Sequence, residues 1–151
     1  MPPETQSKLK TLSVAAVLLI VGAVLGLVAM NSLLARNPAE IAFQVAAVAL
    51  MACARLTFGR RSFHAAANPT SGGLVTTGPY RLIRHPIYTA ACLFIWAGVL
   101  SNWSVLAALL GVLVLLGAIV RMLCEERLVV AAYPEYREYA RGTKRMVPYV
   151  F

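Results

Sequence analysis

The chain has 151 residues, 60% of them hydrophobic and only 13% charged, with a formal net charge of +8. That balance excludes an ordinary soluble globule and leaves an integral membrane protein, one domain over residues 1–151, whose core is helix–helix contact in lipid. The basic residues flank apolar runs instead of striping a folded face, which excludes nucleic acid as the partner and points to membrane lipids or an anionic ligand.

Taken in chain order, the apolar runs predict an all-α protein with four transmembrane helices. The first run, residues 12–34, is long enough to span a bilayer with modest tilt and reads as a retained anchor. Gly22-Ala23-Val24-Leu25-Gly26 within it matches a helix-contact pattern, better suited to a neighbour in the same chain than to a second copy. Arg36-Asn37-Pro38 breaks the run, and Pro38 opens a second span over 39–58 that carries Glu40, Gln44 and Arg55. Residues 59–77 form a polar loop around Asn68-Pro69-Thr70-Ser71-Gly72-Gly73, too long for a simple connector and therefore a candidate functional loop.

A third, short span is predicted over 87–100, with Trp103 as an interfacial anchor in the turn that follows. The fourth span, 105–123, completes a C-terminal helical hairpin. Pro134 ends its helical extension, a short surface helix opens near Tyr136, and Gly142 closes it before a basic tail. Tyr133, Tyr136 and Tyr139 suit either an aromatic lid or interfacial anchoring. Cys53, Cys92 and Cys124 show no metal-ligand spacing, so no metal is expected, and buried thiols acting as small hydrophobes account for them.

Charge sets the orientation. Thirteen of the fourteen basic residues fall on one side of this layout, with only Arg36 opposite. By the positive-inside rule both termini and the long loop face the cytoplasm, in a bacterial or archaeal cytoplasmic membrane.

The chemistry concentrates in two clusters that bracket the hairpin and meet on one side. In Arg84-His85-Pro86-Ile87-Tyr88, Pro86 lacks an amide proton and disfavours helical geometry at His85. Backbone groups around His85 are then expected outside the helical ladder, free for a ligand. A proline-capped helix start with interfacial Arg and His suits the same residues. In Arg121-Met122-Leu123-Cys124-Glu125-Glu126-Arg127, Arg121 and Glu125 share a helix face, and Glu126 is turned away by about 100°. Polar and ionisable groups at a membrane border point to a ligand or a reaction, although an exposed ion pair fits the spacing equally.

The segments Gly73-Leu74-Val75-Thr76-Thr77-Gly78-Pro79-Tyr80, Arg84-His85-Pro86-Ile87-Tyr88, Glu125-Glu126 and Tyr136-Arg137-Glu138-Tyr139 through Pro148 together resemble the isoprenylcysteine carboxyl methyltransferase family. The related phospholipid N-methyltransferases share much of the pattern. The resemblance covers roughly residues 72–148, and the first two spans carry no diagnostic residue. It implies a membrane-embedded methyltransferase using S-adenosylmethionine. By position it assigns cofactor contacts to Gly72, Gly73, Leu74, Val75, Tyr80, His85, Pro86, Ile87, Tyr88 and Glu125, and places Arg121 against the methyl acceptor. Ala90 stands where the family usually has glycine, and Gly72 where a polar residue often opens the loop motif.

The expected acceptor is a lipophilic or lipid-linked molecule, with carboxyl methylation favoured. A carboxylate is already nucleophilic at neutral pH, whereas an amine needs a base, for which His85 or Glu126 are the nearby choices. Phospholipid or amine N-methylation is the enzymatic alternative, and a small non-enzymatic protein that binds anionic lipid or a partner is the other.

The charge asymmetry generates a test of topology. Single cysteines at Asn37 and Asn102, in a background lacking the three native ones, should be labelled from the outer side only. Cysteines near Lys8 and Lys144 should both be labelled from the cytoplasmic side; labelling of those two from opposite sides rejects the four-span layout.

Overall fold

The computed structural model describes residues 1–59 and 73–151. Five α-helices follow in order: α1 (Pro3–Ala29), α2 (Pro38–Phe58), α3 (Pro86–Ser101), α4 (Val105–Ala132) and α5 (Tyr136–Gly142), with a 3-10 turn at Gly78–Arg81 before α3. The described residues contain no strand, only one parallel bridge between Ile83 and Lys144. Helices α1, α2 and α4 are each long and apolar enough to cross a membrane. At 16 residues, α3 is only about 24 Å long, short of the roughly 30 Å of a hydrocarbon core.

The first helix differs from its expected bounds of 12–34. It begins at Pro3, where proline suits the first turn and Glu4 pairs with Lys8 at 2.6 Å. It stops at Ala29 because Asn31 adopts the left-handed conformation (φ 52°). The Ser32 amide then reaches back to the Leu27 carbonyl and the Asn31 amide to that of Val28, both at 2.9 Å, closing the helix end. Pro38 opens α2 as expected, and Ser104 caps α4 by accepting from the Ala107 amide at 3.1 Å. Helix α4 runs well past residue 123, to Ala132.

Helix α1 lies on α4 and α2 on α3, and α3 joins the two pairs through α4. The buried α1 residues Leu9, Ser13, Ala16, Ala23 and Leu27 recur at spacings of three, four or seven, one face of a helix. Leu9 packs with Cys124 and Leu128 at one end, and Ala23 and Leu27 with Ala107 and Val114 towards the other, so α1 and α4 are antiparallel. Small residues allow close approach: a Cβ on Gly117 would meet Ile20 Cγ1 at 2.7 Å, and one on Gly26 would meet Leu110 at 3.0 Å. Gly26 thus contacts a helix of the same chain, as its motif suggested, whereas Gly22 has open space around it.

The end of the bundle away from the clusters is knitted by polar side chains. Gln44, buried in α2, donates to the carbonyls of Leu33 (2.8 Å) and Phe94 (3.0 Å) and accepts from the Ala35 amide (3.0 Å). Ser101 accepts from the amides of Arg36 and Asn37, and Asn102 donates to the Leu34 carbonyl. Backbone groups that leave a helix here find partners, as an apolar surrounding demands. The helix ends bearing both chemical clusters are consequently collected at the opposite end.

Gly98 is the tightest point of this arrangement, since a Cβ there would overlap the Leu33 carbonyl and approach that of Ser32 at 2.8 Å. Gly98→Ala should therefore lose about 1–3 kcal/mol to overpacking, more than the ~1 kcal/mol that alanine gains in a helix. Gly22→Ala should be neutral or stabilising. Thermal midpoints of the two variants in detergent check the contrast.

Candidate active site

The two adjacent acids of α4 point to different partners, and each organises its own cluster. Glu125 faces α3. Its Oε1 accepts from the Tyr88 hydroxyl at 2.7 Å and pairs with Arg121 Nε at 3.1 Å. Arg121 Nε also donates to the Tyr88 hydroxyl at 2.5 Å, so the three side chains close a triangle. Arg121 is buried, and its Nη1 reaches Ser13 of α1 at 3.4 Å. The exposed ion pair considered from spacing is thus a half-buried one.

Glu126, one residue on, faces the chain before α3 and the C-terminal tail. Its Oε1 accepts from Arg84 Nε at 2.9 Å and lies 3.3 Å from His85 Nε2; its Oε2 accepts from Arg145 Nε at 3.0 Å. The Tyr136 hydroxyl stands at 3.5 Å. Arg84 extends the network through Nη1, which donates to the carbonyls of Ala140 (3.0 Å) and Thr143 at the end of α5. A guanidinium there satisfies the carbonyls that a helix end leaves unpaired.

Backbone bonds complete the clasp. The amides of Arg84 and His85 donate to the carbonyls of Lys144 (2.7 Å) and Arg145 (2.9 Å), and the Thr89 hydroxyl donates to the Met146 carbonyl (2.8 Å). The His85 carbonyl accepts from the Thr89 amide at 3.0 Å. The expectation that backbone groups around His85 stay open for a ligand is therefore corrected: the tail and the first turn of α3 occupy them. Pro86 is buried as the first residue of α3, and Ile87 beside it is half-buried.

Tyr80 is buried in the 3-10 turn, its ring 5.5 Å from that of Phe58 and its carbonyl accepting from the Tyr139 hydroxyl at 2.6 Å. Burial pushes the Tyr80 phenol well above its ordinary range, with Tyr139 adding to the rise and Arg55 opposing it. Burial likewise raises the Tyr139 phenol to about 12, against the field of Arg84. Both phenols stay protonated at neutral pH, and that of Tyr139 serves as a donor. Tyr136 is buried edge-on to Tyr139 at 5.6 Å, so these two rings pack inside the clasp.

Of the loop positions, Gly73 is exposed with φ of 80°, and Leu74 and Val75 are half-buried. Gly72 and most of the candidate functional loop over 59–77 lie outside the described residues. Ser13, Arg84 and Arg145 belong to the site region without having been singled out as site residues by sequence. A hydroxyl near the start of the first apolar run was the available signal for Ser13, while Arg145 looked like one more basic residue of a tail.

The family model described as phospholipid methyltransferase matches residues 46–136, from within α2 to the start of α5. The chain is 38% identical over 78 residues to the cobalt-zinc-cadmium resistance protein CzcN of Cupriavidus metallidurans, covering 50% of this chain and 35% of that protein. It is 34% identical over 109 residues to the nickel-cobalt-cadmium resistance protein NccN of Alcaligenes xylosoxydans xylosoxydans, covering 69% of this chain and 45% of that one. The chain thus spans less than half the length of these curated relatives. No solved structure matches it.

The network around Glu126 generates a stability test. Its side chain is only 12% exposed, and removing one partner from a buried ion pair typically destabilises by about 3–5 kcal/mol, against ~0–1 for an exposed pair. Glu126→Gln should lower the thermal midpoint and speed hydrogen exchange at the Arg84 and His85 amides, which the tail protects. Unchanged exchange at those amides would show that the backbone bonds hold the tail unaided.

Proposed function

We propose that this chain, which belongs to the phospholipid methyltransferase family, is an integral membrane methyltransferase that uses S-adenosylmethionine to methylate the carboxylate of a lipophilic acceptor. The observation that carries the carboxylate reading is the occupation of Glu126, one of the two candidate bases. Glu126 is held by Arg84 and Arg145, and the other candidate, His85, lies against it. An amine acceptor needs a group ready to take its proton, whereas a carboxylate needs none. The family's own description favours a second reading, N-methylation of a phospholipid amine.

The residues present fit the cofactor. Glu125, at 24% side-chain exposure, is the more accessible of the two acids, with the chemistry to accept ribose hydroxyls or an ammonium group. The half-buried Tyr88 offers an aromatic face, which attracts a sulfonium cation as it attracts an ammonium. When bound, S-adenosylmethionine supplies an electrophilic methyl group on a positively charged sulfur. In this reading Arg121, one helical turn nearer the apolar part of α4, orients the acceptor carboxylate, exchanging a contact to Glu125, Tyr88 or Ser13 for it. Tyr88 bridges the two roles, donating to Glu125 while accepting from Arg121. Positioning of this kind can supply much of the rate of a bimolecular transfer.

Four spans with both termini in the cytoplasm, facing a bacterial or archaeal cell interior, complete the proposal. The gathering of the α1 start, the α2 end, the α3 start and the α4 end at one end of the bundle supports that layout.

Isothermal titration should show saturable binding of S-adenosylmethionine by the purified protein, and Glu125→Gln should weaken it by about 1–3 kcal/mol through lost charge-assisted hydrogen bonds. Equal affinity in the two proteins removes Glu125 from the cofactor site, and no saturable binding to the wild type rejects the enzyme altogether.

Arg121→Lys should lower methyl transfer from labelled cofactor into co-purified lipid while leaving cofactor affinity nearly unchanged, because lysine lacks the planar fork. Parallel losses of affinity and turnover would reduce Arg121 to a support for Glu125. Label released by mild alkali identifies a methyl ester, and alkali-stable label identifies the amine reading.

A further inference from the structure

A second concave region lies at the same end of the bundle, outside the Tyr88–Arg121–Glu125 triangle. An open cleft of about 630 Å³ separates the first turns of α1 from the far end of α4 and from α5. Four arginines line it, Arg84, Arg127, Arg137 and Arg145, against the single carboxylate of Glu126, an excess of three positive charges. Arg84 and Arg145 are already matched to Glu126. Arg127 and Arg137 are exposed and enter no ion pair among the described residues. An anion is what such a lining attracts.

The wall between these arginines is apolar, formed by Leu9, Val130 and Ala131. It continues an apolar track on the outside of the bundle. Leu116, Leu123, Arg127 and Val130 recur along α4 at spacings of seven, four and three, one stripe of a helix. Leu116 and Leu123 are exposed large hydrophobics, as is Leu12, one turn along α1 from Leu9. An aliphatic chain lying on this track brings its head to Arg127 and Arg137. Arg127 is two residues beyond Glu125, about 200° around the helix, so the cleft and the triangle occupy opposite sides of α4.

We propose that this cleft binds an anionic phospholipid, its phosphate held by Arg127 and Arg137 and an acyl chain lying along Leu123 and Leu116. The site is separate from that of the methyl acceptor, and the proposal does not depend on the reaction assigned above. The apolar track selects a lipid over a free phosphate or a soluble dianion, which offers nothing to Leu116 or Leu123.

The test uses the full chain in detergent, with dioleoylphosphatidylglycerol and dioleoylphosphatidylcholine as probes and native mass spectrometry as the readout. Wild type should retain phosphatidylglycerol in preference to phosphatidylcholine, and millimolar inorganic phosphate should leave that lipid in place. The double variant Arg127→Gln/Arg137→Gln should bind phosphatidylglycerol roughly 30-fold more weakly, as expected for two basic residues removed from an anionic head group. Its phosphatidylcholine binding should not change. Equal retention of both lipids by wild type overturns the proposal, as does unchanged phosphatidylglycerol binding in the variant. Displacement by phosphate overturns it in favour of a free-anion site. If the variant fails to fold, the wild-type preference decides alone, and it must weaken as salt is raised.

Discussion

The Glu126 carboxylate is the constraint on which the functional end of this protein depends. It sits on the helix that spans the full length of the bundle, and it draws in Arg84 from the approach to α3 and Arg145 from the tail. Those two contacts fix segments sixty-one residues apart in the chain. Once they are fixed, the backbone bonds between residues 82–85 and 144–145 follow at short range, and Arg84 is placed to close the end of α5. A carboxylate with a guanidinium on each oxygen is the kind of buried charge that pays for its own desolvation. The same contacts remove it from chemistry, because an acid held this way is a poor acceptor of a substrate proton.

Neighbouring acids with unlike roles are a direct consequence of helix geometry. One residue is about 100° of rotation, enough to turn Glu125 towards Tyr88 while Glu126 faces the tail. Arg121 is a full turn back from Glu125, so it shares the Glu125 face and closes the triangle with Tyr88. A third direction, occupied by Arg127, looks outward to the cleft beside α1. A single stretch of α4 thereby presents the Tyr88–Arg121–Glu125 triangle, the clasp around Glu126 and the arginine-lined cleft in three directions.

Much of this was legible in the sequence. Apolar runs gave α2, α3 and the first part of α4 to within a residue or two, because their limits are prolines and a Ser cap whose effect is local. The pairing of Arg121 with Glu125 was legible for the same reason: it is a matter of spacing on one helix. The end of α1 was not, since it turns on Asn31 adopting a left-handed conformation inside a run that stays apolar to Leu34. Nor was the closure of the His85 backbone. A proline does free those groups locally, but their partners lie in the tail, and no local rule announces a contact made across so much chain. Ser13 was missed likewise, because its meaning comes from α4 packing against it.

The shortness of α3 explains where the site lies. Helices α3 and α4 are joined by the turn at 102–104, so their far ends are level. Measured from there, α3 ends after 16 residues and α4 after 28, an overhang of about 18 Å at the rise of an α-helix. Tyr88 lies near the inner limit of that overhang, and the Glu126 clasp, α5 and the tail fold back beneath the rest. Arg121 falls about 24 Å from the turn, inside the roughly 30 Å of a hydrocarbon core, and Glu125 falls at its limit. A helix of ordinary spanning length at α3 would carry Tyr88 beyond Arg121 and fill the recess with apolar side chains. The truncated helix instead leaves Tyr88, Arg121 and Glu125 gathered beside the overhanging end of α4.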